Sequence, residues 1–345
     1  MKKVMVGISG GVDSAASCVI LKEAGYDVSG CNINFVEEND DINQDAQDIC
    51  KTLNIPFYHF NLYDSFKEKI IKYFYESYNN GLTPNPCIMC NKYFKFGSLL
   101  EFAKENGYDY ISTGHYAKIE YSEKYKRYIL RKATNLLKDQ SYFLYQINKD
   151  ALSHIIFPLE DYETKDEIRK KAREANLGVA QKKDSLDICF IPDKDYKKYL
   201  INNKYVNVKE GNIVLKDGTI LGQHSGLFNY TIGQRKGLGI SYKEPLFVID
   251  FDLKKNLLIV GTEKELYKKE IIVDNINLLL FDEIKDGTRL NVRVRYRGKD
   301  CPATLYNEPN NKIRVVFDDE IKSPTPGQSA VFYLNDIVVG GGIIL

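Results

Sequence analysis

The sequence predicts an α/β chain in which a doubly wound parallel sheet is followed by a small β-rich central domain and a C-terminal β barrel. Three observations carry that expectation. Strand-like and helix-like segments alternate from Met1 to about residue 115, the pattern of a parallel sheet covered by helices on both faces. Beyond about residue 200, seven glycines between Gly211 and Gly239 punctuate short segments of low helical periodicity. From about residue 270 to the end, short runs alternate apolar and polar residues, as in Leu290–Arg297, Arg314–Phe317 and Ala330–Leu334, which read as strands of a compact barrel or sandwich. These changes of pattern place domains at 1–200, 201–265 and 266–345.

Within the first domain each element follows from its apolar pattern. The apolar run Val4–Ile8 is a strand and opens onto an amphipathic helix over Val12–Ala24. Val28–Phe35 and Phe57–Leu62 are strands separated by a helix over Ile42–Leu53. Helices over Phe66–Tyr78 and Phe94–Glu105 precede a strand over Tyr108–Thr113, and Lys165–Ala175 reads as one more helix. Parallel sheets of this kind bind ligands at the carboxyl ends of their strands, where the loop after Ile8 lies. Thr113-Gly114-His115 ends a later strand at the same edge. It either lines a nucleotide pocket there or forms an ordinary glycine turn with a surface histidine.

The whole chain narrows the function classes. Its 345 residues suffice for two or three domains with cores of their own. Lys plus Arg (48) nearly balance Asp plus Glu (47), so the net charge of +1 carries no global signal for nucleic acid, and any RNA contact must come from local patches. The 25 tyrosines and the absence of tryptophan read as compositional bias. No stretch approaches the roughly 20 apolar residues of a membrane span, and the apolar run after Met1-Lys2-Lys3 is too short for a signal peptide. The expectation is a cytoplasmic protein with no membrane partner. In that compartment the seven cysteines are not a disulfide framework, so their spacing reads as chemistry.

The loop Ser9-Gly10-Gly11-Val12-Asp13-Ser14 is suited to pyrophosphate. Adjacent glycines let backbone approach an anion, Ser9, Ser14 and the first N–H groups of the helix can donate to it, and Asp13 can ligate magnesium beside the phosphates. It lacks the Lys-Ser/Thr ending of a Walker loop and the spaced glycines of a dinucleotide fingerprint. SGGVDS resembles instead the PP-loop of the ATP pyrophosphatases, enzymes that split ATP into AMP and pyrophosphate to adenylate a carbonyl oxygen.

A second segment, Thr83-Pro84-Asn85-Pro86-Cys87-Ile88-Met89-Cys90-Asn91-Lys92, holds an extended, proline-led entry to a Cys-x-x-Cys pair before helical character resumes. Cysteines near a helix N-terminus have lowered thiol pKa values, which favours a nucleophilic or metal-binding thiolate. A third cysteine, Cys189, lies in Lys182–Phe190, where Lys182 and Lys183 add positive potential. Cys18, Cys31, Cys50 and Cys301 read as small buried hydrophobes. Structural zinc would need four ligands, and no second Cys-x-x-Cys completes the set. Three cysteines suit either a thiol pair that does sulfur chemistry or an iron–sulfur cluster with one iron open. In the last domain Arg293, Arg295 and Arg297 are spaced by two on a predicted strand. All three guanidinium groups then leave one face, toward RNA phosphates or simply toward solvent, while Val292, Val294 and Tyr296 face the other way.

Eight segments in order, GISGGVDS, TPNPCIMCNKYFKFG, STGHYAK, LLKDQSYFLY, KKDSLDICFI, TIGQRKGLGI, VRYRG and TPGQSAVFY, resemble the tRNA-specific 2-thiouridylases, the MnmA family, over essentially the whole chain. The resemblance implies an adenine nucleotide α-hydrolase-like first domain and ATP-dependent 2-thiolation of the tRNA wobble uridine. ATP and Mg2+ would be the cofactors, with tRNA and a sulfur donor as partners, the donor being a persulfide carrier, a cysteine desulfurase system or sulfide. It implies that Gly7, Ile8, Ser9, Gly10, Gly11, Val12, Asp13 and Ser14 bind ATP together with Ile33 and Gly114. Asn85, Pro86 and Cys87 would surround the target base, Cys90 would be the nucleophile and Cys189 the persulfide carrier. Lys138, Asp139 and Gln140, with Arg295, Tyr296 and Arg297, would contact tRNA. Many members of the family carry Asp where this chain has Cys87. A third thiolate is a softer, stronger iron ligand, which leaves a 4Fe-4S cluster on Cys87, Cys90 and Cys189 open beside the persulfide route. Two other readings stand against this one. Another PP-loop synthetase or amidotransferase, acting on a small carboxylate or a base, would give Cys90 and Cys189 no use. An RNA-binding module with a degenerate loop conflicts with the intact SGGVDS.

Overall fold

Val4, Met5 and Val6 are completely buried, so the first strand, β1 (Lys3–Gly7), must be covered on both faces and lie inside its sheet. The computed structural model, which describes residues 1–35, 40–182 and 187–345, places it so. β1 pairs in parallel with β2 (Asp27–Asn34) on one side and β4 (Tyr110–Ser112) on the other. β3 (Phe57–Asn61) and β7 (Ile155–Ile156) complete the order β3-β2-β1-β4-β7. Alternation along the strand sorts the two cores. Val4, Val6 and Ile8 pack with α1 (Val12–Glu23), α2 (Asp40–Leu53) and α3 (Lys165–Glu174), whereas Met5 packs with Leu99, Leu100 and Ala103. The start of α3 is fixed by a capping box in which Thr164 and Glu167 satisfy each other's backbone N–H groups.

Two helical runs carry the chemistry-bearing side of the domain. Run 63–79 has a π-helical middle, Lys67–Ile71. Run 86–105 starts at Pro86, earlier than the apolar pattern alone predicts, because a proline at the first position of a helix loses no hydrogen bond. Its middle, Asn91–Ser98, is also π-helical, and a Cβ at Gly97 would stand 2.9 Å from the carbonyl oxygen of Lys92. An aromatic cluster joins the runs to the segment after Cys189. Phe66 lies 5.6 Å from both Phe94 and Phe190, and Phe74 lies 5.5 Å from Phe190, between ring centroids. Cys90 belongs to the same core.

After the first domain come a four-stranded sheet of order β10-β11-β8-β9 and then a closed antiparallel barrel. The former uses β8 (Gly211–Val214), β9 (Ile220–His224), β10 (Phe247–Asp252) and β11 (Leu257–Gly261). The barrel runs β12 (Tyr267–Leu278), β15 (Lys312–Lys322), β14 (Cys301–Glu308), β13 (Thr288–Arg293), β16 (Ser329–Leu334) and β17 (Ile337–Ile344), and β12 pairs back with β17. A hairpin of the first domain, β5 (Lys118–Ser122) and β6 (Arg127–Arg131), adds to the barrel sheet through Ile337 and Arg131. That hairpin has no counterpart in the sequence reading. Among the described residues, no helix is long and apolar enough to cross a membrane.

Two expectations need correction. The strand expected over Leu290–Arg297 stops at Arg293, where the chain turns and the N–H of Gly298 bonds the carbonyl of Arg295 at 2.9 Å. Arg293 points inward to acidic partners, so the three arginines do not share a face. Cys18, Cys31 and Cys50 are buried as small hydrophobes, but Cys301, at the barrel surface, is only half-buried.

Replacing Phe66 by Ala should destabilise the protein by about 3–5 kcal/mol, the usual cost of emptying a buried aromatic site. It should also slow Cys90–Cys189 disulfide formation under mild oxidant. Urea unfolding and peptide mass spectrometry measure the two effects; unchanged disulfide kinetics would show that Phe66 does not set the thiol spacing.

Candidate active site

The loop between β1 and α1 is shaped by local geometry. Gly10 takes φ +74°, a left-handed conformation that favours glycine, and a Cβ there would stand 2.9 Å from that of Asp45. Gly11 caps α1, leaving the first N–H groups of the helix directed into the loop. The backbone N–H of Ser9 donates to Ser14 Oγ at 3.3 Å, and Ser14 Oγ donates to the carbonyl of Gly11 at 3.1 Å. Gly114, at the end of β4, lies so close that a Cβ would be 2.7 Å from the backbone nitrogen of Ser14, so the two predicted nucleotide segments do meet. Ile33 lies half-buried near the carboxyl end of β2. Its neighbour Asn32 donates to the carbonyl of Ile8 at 2.8 Å and keeps a buried Oδ1 without a partner.

Asp13 is held by two residues that the sequence reading missed. Lys165, at the start of α3, places its Nζ 2.6 Å from both carboxylate oxygens, and Tyr116 donates its hydroxyl to Oδ1 at 2.9 Å. A carboxylate clasped by an ammonium group is not set to take Mg2+, so the residues present do not match the magnesium expectation. The signal available in the sequence was the Thr-Lys-Asp-Glu capping pattern at 164–167, which places a lysine at a helix start without saying what it faces.

Cys87 and Cys90 lie on the helical segment Pro86–Cys90, and Cys189 lies in a turn of the chain far along the sequence. Backbone contacts to the barrel fix the extended entry before them. The N–H of Thr83 bonds the carbonyl of Pro326 at 2.9 Å, and Gln328 donates to the carbonyl of Thr83 at 3.0 Å. Asn85 is half-buried, Pro86 buried and Cys87 exposed, while Cys90 is 6% exposed at the end of the first helical segment. Cys189 is exposed and close enough to both other thiols for their charges to interact.

Contrary to the helix-terminus expectation, all three thiols are raised in pKa. Burial pushes Cys90 up to about 12, with Lys95 opposing, and the surrounding protein acts in the same direction on Cys87 and Cys189 even though both residues reach the surface. The opposing positive charge comes from Lys95, which acts on all three thiols; Lys182 is ion-paired with Asp45, and Lys183 lies outside the described residues. His115 shares this setting. Burial and then Lys95 hold its pKa well below the usual value, so the ring is neutral at pH 7, with Nδ1 2.8 Å from Thr113 Oγ1. Lys95 was not singled out in the sequence. Its place in a π-helical turn brings residue 95 closer to the Cys90 side than an α-helix would, and π-helical turns cluster at functional sites.

Among the described residues, no group of three His, Cys, Asp or Glu side chains is arranged to hold a metal ion. The three thiols are neighbours but not a ligand set, and they do not match the 4Fe-4S expectation.

The residues expected at tRNA divide in two. Asp139 is 2% exposed and accepts from the N–H groups of Ala133 and Ser141, while Gln140 accepts from the N–H of Tyr116 at 3.0 Å. Lys138 is half-buried, and Arg295 and Arg297 are exposed. Tyr296 packs on Phe143 with ring centroids 4.4 Å apart, and the carbonyl of Phe143 accepts from Asn91, next to Cys90. The barrel turn is thus linked to the thiol helix through two contacts. An open depression of about 440 Å3 is lined entirely by central-module residues, from Arg235 to Leu246.

Comparison with known proteins agrees with this architecture. Three family models match in succession: a tRNA methyl transferase HUP domain over residues 2–193, a tRNA methyl transferase PRC-barrel domain over 198–262 and an aminomethyltransferase beta-barrel domain over 268–344. Proteins named tRNA-specific 2-thiouridylase MnmA are similar over nearly the full length. That of Clostridium botulinum is 45% identical over 99% of this chain and 98% of its own. Those of Acetivibrio thermocellus and Clostridioides difficile are each 43% identical over 99% of this chain and cover 99% and 98% of their own lengths. With its PP-loop sheet, paired thiols and terminal barrel in the same order, the chain belongs to the MnmA family of tRNA-specific 2-thiouridylases.

Proposed function

We propose that this protein is a tRNA uridine 2-sulfurtransferase that uses ATP to replace the C2 oxygen of the wobble uridine with sulfur, acting in the cytoplasm where ATP and tRNA meet. Membership of the family supports the reaction class. The observation that carries the proposal to this chain is the approach of Cys90 and Cys189, far apart in sequence, brought about by one aromatic cluster that holds Cys90 and Phe190, the neighbour of Cys189. A synthetase acting on a small carboxylate gives that convergence no purpose.

In this reading the loop Gly7–Ser14, with Ile33 and Gly114, holds ATP with its phosphates on the N–H groups at the start of α1. The C2 oxygen of uridine attacks the α-phosphorus, pyrophosphate departs, and the adenylated oxygen becomes a good leaving group. The base must leave its stack to reach the segment of Asn85, Pro86 and Cys87. Cys189 receives sulfane sulfur from a donor and becomes a persulfide. The thiolate of Cys90 attacks the Cys189 sulfur of that persulfide, forming a Cys90–Cys189 disulfide and freeing the outer sulfur as sulfide. Sulfide adds to C2 and AMP leaves with the former uridine oxygen. Alternatively, the outer sulfur adds to C2 first and Cys90 then cleaves the S–S bond. In either order an external thiol reductant restores the two cysteines. Burial keeps the Cys90 thiol protonated in the free protein at pH 7, so in this step its proton passes to the departing sulfide.

Cys90→Ser and Cys189→Ser should each abolish 2-thiouridine, measured by mass spectrometry of tRNA nucleosides, while keeping tRNA-dependent ATP–pyrophosphate exchange. Normal 2-thiouridine in either variant would reject the thiol roles, and exchange without any need for tRNA would favour a small-molecule synthetase.

The raised thiol pKa has a measurable sign. The reactive thiolate is scarce below about pH 12 and grows as pH rises, so alkylation of Cys90 by iodoacetamide should increase roughly tenfold per unit from pH 7 to 10. Lys95→Met should slow it at each pH. A plateau before pH 9 would contradict the burial argument.

A further inference from the structure

Arg293 turns inward to a cluster of four charged side chains. Arg293 sends Nε to Asp300 Oδ1 at 2.6 Å and holds Nη1 3.6 Å from Asp139 Oδ2. The second oxygen of Asp300 accepts from Lys132 Nζ. Asp139 is saturated from its own side of the cluster. Its Oδ1 takes the N–H groups of Ala133 at 3.1 Å and Ser141 at 3.2 Å, and its Oδ2 takes the Ser141 hydroxyl at 2.9 Å. The Tyr333 ring lies beside both cations, with Lys132 Nζ 4.3 Å and the Arg293 guanidinium 5.1 Å from its centroid. Side-chain exposures are 9% for Lys132, 1% for Asp139, 14% for Arg293 and 21% for Asp300, so two cations and two anions balance largely out of water.

The position of these charges in the chain is informative. The Arg293–Asp300 pair closes the base of a loop whose outward side carries Arg295, Arg297 and Lys299, all exposed. Lys132 and Asp139 bracket the first-domain turn that carries Lys138. The cluster therefore joins two turns, from two domains, that each display positive charge. Buried ion clusters of this kind are often no better for stability than apolar packing, but they do fix one relative arrangement of the groups they join.

We propose that Lys132, Asp139, Arg293 and Asp300 are positioning residues for tRNA, locking the Lys138 turn of the first domain to the 294–299 turn of the barrel so that both meet the RNA backbone as a single surface. This rests on tRNA being the substrate, as argued above. Asp139 then acts through the protein rather than on RNA, while the exposed cations make the phosphate contacts.

Arg293→Lys tests the lock because it keeps the charge but loses the planar fork that reaches both carboxylates. tRNA affinity should be measured across a salt series for wild type and variant, alongside ATP binding and the thermal midpoint. With the barrel turn released, affinity near 0.1 M salt should fall roughly tenfold and the slope of log affinity against log salt should shrink by about two, the effect of losing two phosphate contacts. ATP binding should be unchanged. A lowered thermal midpoint with affinity and slope equal to wild type would show a purely structural cluster and overturn the proposal. If Arg293→Lys does not fold, Asp300→Asn and Lys132→Gln are held to the same readouts. Failure of the wild-type protein to bind tRNA would instead reject the functional reading, and the lock with it.

Discussion

Phe66 is completely buried and touches both Phe94, one turn beyond Cys90, and Phe190, the neighbour of Cys189, so aromatic packing and not a covalent bond sets the approach of the two thiols. Phe35, just past the end of β2, stacks on the same ring with centroids 4.8 Å apart. One cluster therefore registers the thiol helix, the Cys189 segment and the sheet edge that carries the nucleotide loop. The same packing raises the thiol pKa values against the opposing charge of Lys95, which keeps the sulfurs protonated in the free protein. Proximity and restraint have a common physical origin.

The barrel completes this arrangement from outside. Its loop at Pro326–Gln328 bonds both backbone groups of Thr83, and Gly327 at φ +89° lies too close to Thr83 for any side chain. The extended entry to Cys87 and Cys90 is thus held by a domain that arrives at the end of the chain. The β5–β6 hairpin works in the reverse direction, lending first-domain strands to the barrel sheet. An RNA lying across the barrel turn at Tyr296 would be two contacts from Cys90, through Phe143 and Asn91.

What could be read from the sequence was what depends on local pattern. SGGVDS marked a phosphate loop because its strand, glycines and helix start are consecutive, and Cys90 and Cys189 stood out through their neighbouring residues. What escaped depends on partners distant in sequence. Arg293 alternates correctly for a phosphate-facing row, yet the acidic Asp139 and Asp300 draw it inward. The helix-terminus rule for cysteine was outweighed by burial that only the tertiary packing creates. Lys182 has the charge expected of it but directs it to Asp45, beside the phosphate loop, and Lys165 is visible only as a helix start until its contact with Asp13 is seen. The β5–β6 hairpin was missed because its strands are stabilised by a sheet belonging to another domain.

The proposed reaction depends on sulfur passing between Cys189 and Cys90 within one active site. A single-turnover reaction tests it most directly: protein loaded with persulfide at Cys189, mixed with ATP and unmodified tRNA without reductant, then quenched and mapped by peptide mass spectrometry. A Cys90–Cys189 disulfide should accumulate in step with 2-thiouridine, one for one. Formation of 2-thiouridine with both cysteines left as free thiols would contradict it.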